Sequence, residues 1–457
     1  MRIFALFLSL AALTALPGCL QSTAATAADA TVADTSGQTD AVSPGGDATA
    51  TTVVWQTNPT NAPKSVHLTW QHDPATTVSV QWTTAATDLA GYTPKVWFDT
   101  AANAGADGAK MTFSAAQTAS GTGEYYYQSL VSTDTSGQKY LTWTVEVTGL
   151  TPDTPYVLRA GSWTDYKAGA FVAPDLTTDV ISFRTAPAKG KRQPIKLVLA
   201  GDSRGGNDLI AANADRLAAI GAAFWVFNGD FTDFSMQDQW DGWFQAMAPI
   251  LHTTPLMPVQ GNHEAFPPMY YGQFALPVNA GVPDTYQEHA WSVNYGNVHV
   301  VGLDSTSAAA ASDEAAWLDA DLTAARADAD IDWIIVAMHY PAYSACTNHG
   351  STAWVQKYWV PLFEKHNVDL VFAGHDHDYE RSWPWVNNNK AAKGPVYVVA
   401  GGFYADGYTN GHDIWTAVSE HGNKHNYVVM TIDGGKLDYT AFSGDGASTL
   451  DTYSLQK

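Results

Sequence analysis

The second half of the chain contains five short hydrophobic runs, rich in β-branched residues, which are typical of buried strands. These runs cover residues 195–200, 222–227, 255–259, 333–337 and 369–373. A helical periodicity separates several of them, over residues 209–220, 313–327 and 355–366. Because strands that alternate with helices build layered sheets, the pattern predicts an α/β domain, which we place at residues 194–457.

The first half of the chain has a different pattern, in which short segments alternate between apolar and polar positions. Residues 66–70, 78–82 and 141–147 alternate with period two, and turn residues lie between them. A Thr-Pro-Asp-Thr turn at 151–154 leads into a further strand. A succession of short strands predicts an all-β sandwich, which we place at residues 61–187.

Side chains that can bind metal ions follow each of the five hydrophobic runs. They are Asp202, Asp230, Asn262, His339, His375 and His377. Each motif alone is weak, because a Gly-Asp turn after a strand is ordinary, but functional sites collect at the carboxyl ends of strands. Oxygen-rich ligands with imidazoles suit Mn, Fe, Zn or Co. The combination predicts a site for two metal ions, which together can hold a hydroxide and clamp the attacking and leaving oxygens of an in-line displacement.

The net charge of the chain argues against nucleic acid as a partner. Lys and Arg total 23 against 45 Asp and Glu, which gives a formal net charge of −22. A protein that coats nucleic acid needs a basic face for the phosphates, so we expect no nucleic-acid partner. At 46% hydrophobic residues, the chain can bury a large core.

The amino terminus has the pattern of a targeting segment. Arg2 precedes an apolar run over residues 3–16, which is too short to span a bilayer. The run ends in Leu-Pro-Gly-Cys19, which resembles the lipobox of bacterial lipoproteins and implies cleavage before Cys19 and lipidation of its thiol. The alternative is an ordinary signal peptide with an incidental cysteine.

This amino-terminal resemblance implies an extracytoplasmic protein that is tethered to a bacterial membrane through Cys19. Residues 1–18 would be the signal peptide, and residues 19–60 a disordered tether, because Ala, Thr, Ser, Asp and Gly dominate there without apolar periodicity. Cys346 would then be the only free thiol, so no disulfide within the chain is expected.

The order of the metal-binding motifs resembles that of calcineurin-like metallophosphoesterases. The motifs are Asp-x-Arg at 202–204, Gly-Asp-x-x-Asp at 229–233, Gly-Asn-His-Glu at 261–264, Val-x-x-His at 336–339 and Gly-His-x-His at 374–377. The segment 374–381, Gly-His-Asp-His-Asp-Tyr-Glu-Arg, is a very specific part of this match. Residues 149–156 resemble a strand signature of fibronectin type III-like domains, so the chain resembles the purple acid phosphatase-like subgroup over about residues 63–457.

The resemblance implies a fibronectin-like sandwich followed by a four-layer α/β/β/α catalytic domain. It also implies two divalent or mixed-valence metal ions, of Fe, Zn or Mn. Asp202 and His377 would bind the first ion, and Asp230 would bridge both. The second ion would have the ligands Asn262, His339 and His375.

The resemblance further implies the residues that act on the substrate. His263 and His349 occupy the positions of histidines that touch the phosphate and can protonate the leaving oxygen. Arg204 replaces a metal-binding histidine of some relatives. Its guanidinium could form a bidentate fork with phosphate oxygens or a plain salt bridge.

Position 233 departs from the pattern of purple acid phosphatases. They have a tyrosinate there that binds Fe(III), whereas this chain has Asp233, so we do not expect a purple Fe(III) centre. Asp233 either gives a carboxylate to the first metal ion or lies outside its coordination sphere.

The predicted function is hydrolysis of small phosphate monoesters by direct attack of a metal-bound hydroxide, as in acid phosphatases. One alternative is a phosphodiesterase or nucleotidase that uses the same site. An alternative of another class is a surface binding lipoprotein whose phosphoesterase domain is inert, which the intact set of six ligands disfavours.

The lipoprotein hypothesis predicts that Cys19→Ser abolishes membrane attachment or blocks processing, because serine has no thiol to lipidate. Membrane fractionation of the producing cells, with mass determination of the amino terminus, measures both effects. A Cys346→Ser variant should remain membrane-bound and is the control. A Cys19→Ser protein that is cleaved normally and stays in the membrane would contradict the hypothesis.

Overall fold

The fold is that of a computed structural model, which describes residues 63–84, 93–105, 108, 118–128, 138–163, 176–264, 267–420 and 425–457. These residues belong to one compact unit. The predicted signal peptide and tether lie outside the described residues. Within the described ranges, no helix combines the length and the apolar character needed to cross a bilayer.

The amino-terminal region is a sandwich of two antiparallel sheets, as predicted. Its strands and one short helix are β1 Lys64–Thr69, β2 Val78–Thr84, β3 Thr93–Thr100, α1 Ala101–Ala104, β4 Thr118–Ser120, β5 Thr122–Gln128, β6 Gln138–Val147, β7 Pro155–Trp163, β8 Leu176–Thr177 and β9 Ile181–Arg184. One sheet has the order β1-β2-β6-β5, and the other has the order β4-β3-β7-β8 with β9 beside β7. Apolar side chains of both sheets share one core, which includes Leu68, Trp82 and Leu158.

The carboxyl-terminal region contains the remaining strands and helices. They are β10 Ile195–Ala200, α2 Asn207–Ala218, β11 Phe224–Phe227, α3 Gln237–Leu251, β12 Leu256–Pro258, α4 Pro267–Gln273, β13 Trp291–Tyr295, β14 Val298–Leu303, α5 Ala308–Ala327, β15 Trp333–Met338, α6 Ala353–Tyr358, α7 Val360–Lys365, β16 Leu370–Ala373, β17 Tyr379–Ser382, β18 Trp385–Val386, β19 Asn389–Lys390, β20 Val396–Ala400, β21 Thr416–Glu420, β22 Asn426–Asp433, β23 Lys436–Ser443 and β24 Thr449–Gln456. Short 3-10 turns cover Asn262–Glu264 and Asp284–Tyr286.

Two mixed sheets form the middle layers of this region. The six-stranded sheet has the order β12-β11-β10-β22-β23-β24, and the seven-stranded sheet has the order β13-β14-β15-β16-β20-β17-β21. Alternation along β15 shows the layering, because Ile335 and Ala337 pack into the core between the sheets while Ile334 and Val336 pack toward α5–α7. With α2 and α3 packed against the first sheet, the arrangement is the predicted four-layer α/β/β/α fold.

The helices differ from the sequence prediction in several places. The predicted helix 355–366 is broken into α6 and α7, because Pro361 lies in the first turn of α7 and has no N–H to continue α6. The α5 helix begins five residues before the predicted start, where Ser307 accepts a hydrogen bond from the Ala310 N–H. The α3 helix was not predicted, and Pro249 lies within it.

A hydrogen-bonded contact joins the sandwich to the α/β region beside α3. The Tyr126 hydroxyl donates to Gln237 Oε1 at 2.5 Å and accepts from Gln273 Nε2 at 3.0 Å. The Thr142 hydroxyl donates to the Gly272 carbonyl at 2.9 Å. A Cβ at Gly272 would lie 2.7 Å from the Tyr126 ring, so only glycine fits there. The sandwich therefore supports α3 and α4, which flank the loops after β11 and β12.

The contact predicts that Tyr126→Phe lowers the free energy of unfolding by about 1–3 kcal/mol, because buried amide groups of Gln237 and Gln273 lose a partner. Chemical denaturation measures the change. The control is Tyr358→Phe, which removes an exposed hydroxyl and should change stability little. Equal stability of the Tyr126→Phe protein and the wild type would contradict the importance of this contact.

Candidate metal centre

The six predicted ligands lie at the carboxyl ends of five strands. Asp202, Asp230 and Asn262 follow β10, β11 and β12, which are neighbouring parallel strands of the six-stranded sheet. In the other sheet, His339 follows β15, and the His375–His377 segment follows the parallel neighbour β16. The two sheets therefore bring their strand ends together at one edge of the sandwiched core, as the spacing of the motifs predicted.

Sharp turns bring these side chains close together. Asp202, Asp230 and His375 have φ values of 61°, 54° and 69°, a left-handed conformation that is unusual for residues with a Cβ. Gly261 and Gly374 lie beside these side chains at positions where a Cβ would clash with a carboxylate. A Cβ at Gly261 would lie 2.2 Å from Asp230 Oδ1, and a Cβ at Gly374 would lie 2.2 Å from Asp202 Oδ2. The glycines of the motifs thus permit the backbone to approach the carboxylates.

The ligand atoms form two clusters that share one carboxylate. In each cluster the atoms lie within 4.8 Å of one another, and the clusters are Asp202, Asp230, His377 and Asp230, His339, His375. His377 Nε2 lies 3.5 Å from Asp202 Oδ1, and His339 Nε2 lies 3.3 Å from Asp230 Oδ1. Asn262 Oδ1 lies 2.9 Å from His339 Nε2, which places the amide at the second cluster.

Two of the imidazoles are oriented by hydrogen bonds to the main chain. His339 Nδ1–H donates to the Asn228 carbonyl at 2.6 Å, and His377 Nδ1–H donates to the Asp406 carbonyl at 2.7 Å. A donating Nδ1 directs Nε2 and its lone pair toward the opposite side of the ring, where the carboxylates lie. This donor set, of carboxylate, amide and oriented imidazole, fits two divalent ions.

The electrostatics of the clusters favour positive charge between the carboxylates. Asp202 and Asp230 are almost completely buried, and burial raises the pKa of Asp202. Burial alone would lower the pKa of His339, but the charges of Asp230 and Asp202 raise it to about 10. The carboxylates therefore favour positive charge beside them, which a metal ion would supply. Burial, together with His339 and His349, lowers the pKa of His375 to about 2, which keeps it in the neutral form that binds metal.

The substrate-facing residues predicted from the sequence surround the clusters. The His263 N–H donates to Asp230 Oδ1 at 2.9 Å, and its Nε2 lies 3.8 Å from Asp230 Oδ2. The His349 ring lies 4.1 Å from the ring of His375. Arg204 forms an ion pair with Asp233, in which Nε donates to Oδ1 at 2.9 Å. Asp233 belongs to neither cluster.

Sequence reasoning gave no role to three residues that support the site. Glu264 is fully buried, and its carboxylate accepts hydrogen bonds from the N–H groups of Asp230, Phe231 and Gly261 at 2.8–2.9 Å. It therefore ties the loop after β11 to the loop after β12. The Gly-Asn-His-Glu motif contained this residue, but only the fold reveals its partners.

Asp376 and Tyr408 support the site from the side of β16. Asp376 Oδ2 accepts the Gly350 N–H at 3.1 Å, next to His349, and so holds the loop that carries this histidine. Tyr408 stacks on His377, with ring centroids 4.1 Å apart and an angle of 10° between the planes. No pattern of the sequence indicated Tyr408, because it lies in a loop 31 residues beyond His377.

Comparison with known proteins agrees with this geometry. The model of the calcineurin-like phosphoesterase family matches residues 195–379, and the model of the purple acid phosphatase N-terminal domain matches residues 63–185. The chain thus contains the metallophosphoesterase domain and the amino-terminal domain of the purple acid phosphatase-like family. This family hydrolyses phosphoric esters and uses a dinuclear metal centre. The family and the fold predicted from the motifs are thereby confirmed.

The relatives include plant and bacterial proteins. Purple acid phosphatase 21 of Arabidopsis thaliana is 29% identical over 270 residues, which cover 56% of this chain and 57% of that protein. An uncharacterized protein of Mycobacterium tuberculosis is 30% identical over 279 residues, or 52% of this chain and 50% of the relative. The chain thus spans about half the length of the curated relatives it matches. A purple acid phosphatase from yellow lupin (Lupinus luteus) seeds shares the fold, with a TM-score of 0.69 and 16% identity over 87% of this chain and 74% of that chain.

The contacts of Glu264 predict that Glu264→Gln weakens metal binding by about 10- to 100-fold, because an amide NH2 must face at least one of the three backbone N–H donors. Competition with a chromophoric chelator measures the affinity. The control is Glu314→Gln, since Glu314 is also fully buried, whereas the N–H groups of Asp230 and Gly261 donate to Glu264. Unchanged affinity in the Glu264→Gln protein would contradict the role of this carboxylate.

Proposed function

We propose that this protein hydrolyses small phosphate monoesters outside the cytoplasm with two metal ions. The observation that carries the proposal is the pair of ligand clusters that share Asp230, because a bridging carboxylate holds two ions close enough to act on one phosphate. Asp202 and His377 would hold the first ion. Asn262, His339 and His375 would hold the second.

The bound ions would supply Lewis acidity and an activated nucleophile for in-line attack on phosphorus. The residues of the chain fix the geometry of this reaction. The hydrogen bonds from His339 and His377 to main-chain carbonyls hold both imidazoles, and the Glu264 carboxylate holds the loop that carries Asn262. Such preorganised groups stabilise developing charge without reorganisation during the reaction.

Three further side chains would act on the substrate. Arg204 is positively charged and would neutralise charge on the non-bridging phosphate oxygens. His263 and His349 lie against the two clusters but are not members of either, so each can donate a proton or a hydrogen bond to the phosphate or to the leaving oxygen. No covalent phosphoenzyme is expected, because the nucleophile is not a side chain.

The arrangement of the whole chain is part of the same proposal. Residues 1–18 would direct export, and Cys19 would carry the lipid anchor. The tether over residues 19–60 would then hold a two-domain enzyme, with its sandwich at 61–187 and its catalytic domain at 194–457. A metal-dependent hydrolase that is anchored through a lipid on Cys19 would act on phosphate esters at the membrane surface.

The roles of the histidines predict two classes of variant. Replacing His339 by Ala removes a ligand, so metal content and activity should both collapse. Replacing His349 by Ala should leave two ions per chain, while kcat falls by roughly 10²–10⁴-fold, the usual weight of a general acid. Elemental analysis and steady-state kinetics measure both. The His349→Ala loss should be smaller for p-nitrophenyl phosphate than for an alkyl phosphate, since p-nitrophenolate leaves without a proton.

The controls separate the proposed activity from its alternatives. His299→Asn is a matched control, because the buried His299 pairs with Asn294 and Asp321 away from the clusters and should keep both metal and activity. Faster turnover of bis(p-nitrophenyl) phosphate than of the monoester would favour a phosphodiesterase. A protein that holds two ions but hydrolyses no phosphoester would contradict the proposal and favour an inert binding protein.

A further inference from the structure

Asp233 contacts both of the substrate-facing side chains on one side of the site. Its carboxylate Oδ1 accepts a hydrogen bond from Arg204 Nε at 2.9 Å. Its main-chain carbonyl accepts the Nδ1–H of His263 at 2.6 Å. One residue therefore fixes a guanidinium through its side chain and an imidazole through its backbone.

The bond to Nε leaves the outer part of the guanidinium available. Within the described parts of the chain, neither Nη atom of Arg204 forms a hydrogen bond. The side chain is 26% exposed, so a ligand in the cleft can reach it. The main-chain N–H of Arg204 donates to the Asp230 carbonyl at 3.2 Å, which fixes the base of this side chain beside the bridging residue.

The surroundings of Asp233 also restrict its side chain. A Cβ at Gly205 would lie 3.2 Å from Asp233 Oδ2, so the glycine next to Arg204 leaves space for this carboxylate. Asp233 lies outside both ligand clusters, and its carboxylate is already paired with a guanidinium. The Asp233 carboxylate therefore binds the Arg204 guanidinium and does not bind a metal ion.

We infer that Asp233 is a positioning residue that directs both Nη groups of Arg204, and Nε2 of His263, at the phosphate of a monoester. This inference rests on the proposed function. A guanidinium held through Nε presents parallel N–H donors, which match two unsubstituted oxygens of one phosphate. A monoester dianion has three such oxygens and two negative charges, whereas a diester has two such oxygens and one negative charge, so the guanidinium attracts the monoester more strongly. Arg204, held by Asp233, thus favours monoesters over diesters.

The test compares Asp233→Asn with wild-type protein in three measurements: metal content, calorimetric affinity for inorganic phosphate, and kcat/KM for p-nitrophenyl phosphate and its bis ester. Asparagine keeps the size and the backbone carbonyl but loses the charge that holds Arg204. Two ions per chain should remain. Phosphate affinity and monoester kcat/KM should both fall about 10- to 100-fold, the usual weight of a charge-assisted hydrogen bond. Diester kcat/KM should fall less than about threefold.

Two further variants separate positioning from a general structural effect. Arg204→Ala should cause at least the same loss of monoester selectivity, and the Arg204→Ala/Asp233→Asn double variant should lose no more than Arg204→Ala alone. Asp153→Asn is the matched control. It breaks the Arg184–Asp153 pair of the sandwich, which also measures 2.9 Å, and should change none of the three measurements.

Distinct results overturn the inference and the proposed function. Loss of one metal ion in Asp233→Asn would identify Asp233 as a ligand and overturn the inference, as would unchanged phosphate affinity and unchanged monoester selectivity. Additive losses in the double variant would also overturn it. If the wild type holds two ions but hydrolyses neither ester, the proposed function fails, while the affinity for inorganic phosphate still decides whether Asp233 directs Arg204.

Discussion

The site depends on the proximity of two buried carboxylates, Asp202 and Asp230. Like charges that are buried side by side repel each other, so positive charge between them stabilises the arrangement. Burial alone would lower the pKa of His339, but the charges of both carboxylates raise it to about 10. The two ligand clusters therefore favour cations, and the chemistry of their side chains fits two divalent ions.

The rest of the fold keeps these carboxylates in place. Two sheets deliver their strand ends to one edge, and glycines at 261 and 374 let the backbone approach the carboxylate oxygens. Glu264 ties two of the loops together through three backbone N–H groups. The sandwich supports α3 and α4 through Tyr126 and its glutamine partners, so a contact between the two regions stabilises the loops that carry the ligands.

The strands, and the gathering of the six candidate ligands at their carboxyl ends, could be predicted from the sequence because buried parallel strands are apolar along their whole length, and polar residues then mark their ends. The break between α6 and α7 and the helix α3 were harder to predict. Pro361 starts a helix instead of only ending one, and the proline within α3 obscures its periodicity. Partners distant in the chain, such as Tyr408 on His377 or Asp376 on the His349 loop, depend on tertiary packing and leave no local pattern. The contact of Asp233 with Arg204 could not be predicted from the sequence either. The sequence fits Asp233 as a metal ligand or as a residue outside the coordination sphere, and it fits Arg204 in a phosphate fork or in a salt bridge.

The most direct test of the shared-carboxylate site is electron paramagnetic resonance of the protein reconstituted with two Mn(II) ions per chain. Ions bridged by Asp230 would lie roughly 3.5–4 Å apart and couple magnetically. Two ions that share Asp230 should give the multiline spectrum of an exchange-coupled pair, and Asp230→Asn should convert it into the six-line spectrum of isolated Mn(II). A six-line spectrum from the fully loaded wild type would show that the two ions share no ligand, and would contradict a site in which Asp230 binds both ions.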